Sequence, residues 1–138
     1  MKRVVIPALV ASLVLVGCQS TALGPDAAIA CGWNEPDSPV VSALDADSTQ
    51  LAENVERANT RLEAARRVAD VDPRFEPLVE ALEETADFAS ELTTLSPTEI
   101  EGISSSRWDF AKYLQAVARD QCEQLADVVG FVGSAGNE

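Results

Sequence analysis

The chain has 138 residues, enough for one domain of ordinary size, and carries 10 lysines and arginines against 23 aspartates and glutamates, a formal net charge of −13. A surface this acidic repels phosphate backbones, which argues against nucleic acid as a partner. Histidine occurs nowhere, which removes Ser-His and Cys-His nucleophiles and the usual zinc ligand sets.

The first element is the apolar run Val4 to Val16 behind Met1-Lys2-Arg3. It falls short of the roughly 20 apolar residues of a spanning helix, and its basic start and small-residue end have the layout of an export signal. It closes on Leu15-Val16-Gly17-Cys18. A basic start, a short apolar stretch and a Leu-x-Gly-Cys ending together resemble the signal of bacterial lipoproteins, over residues 1–18 only. The resemblance implies cleavage before Cys18, a lipid on the Cys18 thiol and attachment to a membrane of the cell envelope through it. Since Gln19 rather than aspartate follows, it also implies the periplasmic face of the outer membrane rather than the inner membrane.

Setting Cys18 aside leaves an even pair. In an exported, oxidising compartment Cys31 and Cys122 are expected to form a disulfide, and two separate thiols are the alternative. Residues 18–38, interrupted by Gly24, Pro25, Gly32 and Pro36, read as the lipidated N-terminus and a short tether with at most one helical turn after Asp26. The helical body is expected over 39–132 and a disordered tail over 133–138.

Ser38-Pro39 offers a start for the first helix, which Val41, Leu44, Ser48, Leu51, Val55, Ala58, Leu62, Ala65 and Ala69 continue as a heptad seam. Asp72-Pro73 stops it. The second helix is expected from Pro73 or Pro77 to about Thr94, with Phe75, Leu78, Val79, Leu82, Ala86, Ala89 and Leu92 inward and Phe88 on the flank. Leu95-Ser96-Pro97-Thr98-Glu99-Ile100 holds an N-cap, a first-turn proline, a capping box and a hydrophobic staple, so a third helix starts there. It weakens at Gly102 and Ser104-Ser105-Ser106, where a restart capped by Ser106 is expected. From there Phe110, Leu114, Val117, Gln121, Leu125, Val128 and Val132 form its stripe, with Gly130 as a stop. No run alternates with period two, so the fold class predicted is all-α: a small three-helix up-down-up bundle after the tether. The alternative is a helix pair that completes its core by oligomerising along the helix-one seam.

Acidic residues crowd the second helix, with Glu76, Glu80, Glu84, Asp87 and Glu91 on one face. Ion pairs to Arg57, Arg61, Arg66 and Arg67 of an antiparallel first helix are the structural reading of that face; a site for a cation or a basic partner is the functional one. Asp45, Asp47, Thr49 and Glu56 fit an EF-hand frame, but Gln50 stands where its turn requires glycine. Without phosphate loops, Cys-x-x-Cys or metal-ligand clusters, neither catalysis nor a cofactor nor a metal is expected. Trp33, Trp108 and Tyr113 are the candidate partner surface; the alternative is that they pack together under the tether. The resemblance implies a membrane-anchored envelope lipoprotein, and the missing catalytic motifs make a non-enzymatic interaction or structural module the expected role, with an envelope protein as the expected partner. An inhibitor or immunity-type lipoprotein binding a basic exported enzyme is the alternative, and a carboxylate-based hydrolase a more distant one.

Overall fold

All regular structure among the described residues is helical. The computed structural model describes residues 23–35 and 45–131. Cys18 with its lipobox, the expected helix start at Pro39 with Val41 and Leu44, and the tail 133–138 lie outside the described residues. In chain order come α1 (residues 23–31), α2 (Ser48–Val71), a 3-10 turn (Pro73–Phe75), α3 (Glu76–Thr94), α4 (Pro97–Glu101) and α5 (Ser105–Val129).

Caps and prolines set these boundaries. At the head of α2 the Asp47 carboxylate accepts from the Gln50 N–H and the Gln50 side chain accepts from the Asp47 N–H, both at 2.9 Å. Gln50, which breaks the calcium-loop pattern, is thus the second member of a capping box. Asp72, extended ahead of Pro73, ends α2 and accepts from the Arg74 N–H and guanidinium, which hold its carboxyl below the ordinary carboxylate range. At α4 both capping-box bonds are present, and the Ser96 N–H donated to the Glu99 carboxylate lowers that carboxyl in the same way. Leu95 and Ile100 meet in one apolar cluster, as the staple predicts.

The third predicted helix is two helices. Gly102 ends α4, and α5 restarts with Ser104 as N-cap rather than Ser106; the two hydroxyls are 3.0 Å apart. Gly130, at φ +69°, closes α5, and the Phe131 N–H donates to the Ala126 carbonyl at 2.9 Å in the long-range bond of a Schellman cap.

The expected tether is in part a structural helix. Gly24 and Pro25 read as breakers, yet Pro25 lies in the first turn of α1, where its missing N–H leaves no bond unmade. Leu23, Ala27 and Ala30 line one narrow face and are buried in the main core. That core also holds Leu62, Ala65, Val68 and Ala69 of α2, Phe75, Leu78, Val79, Leu82 and Ala86 from the α3 side, and Leu125 of α5. A disulfide joins Cys31 at the end of α1 to Cys122 of α5, Cα atoms 5.8 Å apart, and Arg67 of α2 donates to Asp26 at 2.9 Å. Thus α1 bridges α2 and α5, while α3 packs against both.

This explains a departure from the helix-one seam: Ala64 and Val68 are fully buried although they lie off it. Ser48, the seam's polar position, is the first residue of α2 and is exposed. Positions 57, 61, 64 and 68 share a second face at helical spacing, and that face meets α1 and the loop after it. A second, smaller cluster at the opposite end gathers Leu51, Leu92 and Ile100 with Phe88 and Trp108 at its margin.

Candidate interaction surface

The three aromatic residues singled out in the sequence do not come together. Trp33 follows Gly32, which at φ +66° closes α1 in a Schellman motif: the Gly32 and Trp33 N–H groups donate to Ile29 and Ala28 at 3.2 and 3.1 Å. Phe131 follows Gly130 in the same way, and the two rings stack with centroids 4.3 Å apart and planes 4° from parallel. Trp108 lies about 30 Å away along α5 at the helical rise, half-buried in the second cluster and edge-on to Phe88 at 5.3 Å. The Arg107 guanidinium covers the Phe88 ring at 5.0 Å and pairs with Glu91, whose carboxyl it pulls down. Both tryptophans thus have intramolecular partners.

Tyr113 remains open to solvent, and so does Phe110 on the face that Leu114 and Val117 share. Phe110, expected in the core stripe, is 50% exposed, and its ring stacks against that of Tyr113, itself 61% exposed, at 6.2 Å and 23°. The spacing that places Phe110 in register with Leu114 does not supply an element to cover it.

Nor do the arginines of α2 neutralise α3. Arg57 and Arg61 converge on Glu35 and Arg67 on Asp26, so three of the four serve the N-terminal segment. Arg66 alone crosses to α3, reaching Glu83 at 3.6 Å. Among the described residues no basic group stands within ion-pairing distance of Glu76, Glu80, Glu84 or Asp87. These carboxylates are spread along the helix, and among the described residues no three acidic or thiol side chains converge as metal ligands.

The acidic face and the open aromatics meet in one groove. Between α3 and α5 lies an open depression of about 410 Å³ with Ala81, Leu114 and Val117 at its floor. Glu80, Glu83 and Glu84 form the α3 rim, Phe110 and Tyr113 the α5 rim. The sequence carries this surface as a helical face of like charges; it stands open because three of the four α2 arginines pair with Glu35 and Asp26 instead. The chain matches no family model, no curated protein and no solved structure.

Proposed function

We propose that this protein is a bacterial envelope lipoprotein, anchored through Cys18 to the periplasmic face of the outer membrane, whose helical body is a non-enzymatic interaction or structural module. The observation that carries the anchor is the Leu15-Val16-Gly17-Cys18 ending of a short, basic-headed apolar segment. Among the described residues no helix is long and apolar enough to cross a membrane, so any attachment by this part of the chain needs another device. The three long helices α2, α3 and α5 are read as an up-down-up bundle to which α1 adds a disulfide-held brace. A body braced by a disulfide and carrying an uncovered acidic and aromatic groove suits binding.

An inhibitor or immunity role toward a basic exported enzyme is the second reading, favoured by the unpaired carboxylates of α3. Substituting Cys18→Ser tests the anchor: fractionated cells are expected to release the variant as a soluble protein and to lose incorporation of a labelled fatty acid. Retention of Cys18→Ser in the membrane fraction would overturn it.

A further inference from the structure

We infer that the α3/α5 groove receives a cationic amphipathic helix of a partner protein; this deepens the interaction role proposed above and rests on it. Helix-in-groove recognition needs a trough of apolar side chains between two parallel or antiparallel ridges, with polar groups at its edges to set register. Ala81, Leu114 and Val117 supply the trough, and Phe110 and Tyr113 supply large apolar area at its edge that nothing in the described chain covers. Exposed aromatics of this size contribute most when a partner buries them.

Charge selects the occupant. Glu80 and Glu84 sit one helical turn apart on the rim, and Glu76 and Asp87 extend the row to about 16 Å, or three turns, at the helical rise. A helix lying alongside needs lysines or arginines at spacings of three and four to meet them. The chain itself offers no such helix. Arg57, Arg61, Arg66 and Arg67 already pair within the fold, Arg74 pairs with Asp72, Arg107 with Glu91 and Lys112 with Asp109. Arg119 is a lone cation on α5 itself, with no basic residue three or four positions away, and Lys2 and Arg3 belong to the segment read as the export signal. Residues 36–44 and 132–138 contain no basic residue at all. A second copy would bring a net charge of −13 against the same sign. The complementary charge must therefore come from another protein.

The test is a fluorescence-anisotropy titration of the purified full-length chain, in non-ionic detergent, against a labelled synthetic peptide of about 18 residues. The peptide carries leucines at i, i+3, i+4 and i+7 and lysines on the flanks. A scrambled peptide of equal composition and a glutamate-for-lysine peptide are the comparisons. The patterned peptide is expected to bind, and Tyr113→Ala, Phe110→Ala and the pair Glu80→Lys with Glu84→Lys are each expected to weaken it about tenfold or more at unchanged helix content and melting temperature. Equal binding of the scrambled peptide, indifference to the Tyr113 and Phe110 substitutions, or no binding would overturn the assignment. So would a large fall in melting temperature for Tyr113→Ala or Phe110→Ala, which would place these rings in the core. Self-association abolished by Tyr113→Ala would give the groove to a second copy, and tighter peptide binding after deletion of residues 36–44 would give it to the chain itself; either overturns the assignment to a partner. If a stoichiometric envelope partner is still captured by a chain whose groove variants change nothing, the groove assignment fails alone. Membrane retention of Cys18→Ser with normal peptide binding would instead remove only the anchor.

Discussion

Gln121 shows how one residue can sit in the right place with the wrong chemistry. It belongs to the α5 stripe between Val117 and Leu125 and is only 9% exposed. Its Oε1 has no hydrogen-bond partner. A buried acceptor left unpaired costs about 1–3 kcal/mol, whereas leucine has nearly the same volume and nothing to satisfy. Gln121→Leu is therefore expected to raise the urea midpoint at unchanged slope, by about 1 kcal/mol of unfolding free energy. A lowered midpoint would mean that the amide has a role in the native state that leucine cannot fill. The stripe containing Gln121 was legible because burial follows the helical period. Phe110 obeys the same period and is exposed, since periodicity says which residues share a face and not whether a neighbour stands over it.

The disulfide does its work at the scale of elements. A nine-residue helix is too short to persist by itself in water, so α1 depends on the contacts of Leu23, Ala27 and Ala30 and on its covalent link to α5. Closing a loop across a separation of 91 residues restricts the unfolded chain by about 4–5 kcal/mol in the chain-entropy account. Replacing both Cys31 and Cys122 by alanine is expected to remove about that much, and native-state hydrogen exchange should show the amides of α1 losing protection before those of α3. Unchanged protection in α1 would show that packing alone holds it. The same dependence explains why α1 was hard to read. Its apolar face is three residues long, Gly24 and Pro25 signal a break, and the contacts that hold it, the shared core and the link to α5, lie far along the chain. By contrast α3 was legible nearly throughout, because its long stripe, its proline start and the capping box after it all point to the same boundaries. The Arg pairs were not legible: an antiparallel α2–α3 hairpin predicts them across that interface, and α1, expected as at most one helical turn, brings Asp26 and Glu35 closer.

At the scale of the whole molecule, the position of α1 turns the proposed anchor into an orientation. Cys18 and Leu23 are five positions apart, so even a fully extended connection reaches only about 18 Å. Asp26 pairs with Arg67 and Glu35 with Arg61, so α1 runs antiparallel to α2 and its first turn lies toward the α2–α3 turn. A lipid on Cys18 would then hold that end of the body, with exposed Val71 and Arg74, close to the bilayer. The opposite end, with α4 and Trp108, would stand off by the length of α5, about 37 Å at the helical rise. Because the acidic body is repelled by anionic headgroups, the orientation depends on the short leash and not on surface adhesion. A fluorophore placed at position 74 of the lipid-bearing protein in vesicles is expected to be quenched strongly by a headgroup-linked quencher, and one at position 98 in α4 hardly at all. Equal quenching at both positions would mean that the body lies flat or swings freely. The groove between α3 and α5 runs along the long axis, so an upright body would leave it open from the side to a partner helix lying perpendicular to the membrane plane.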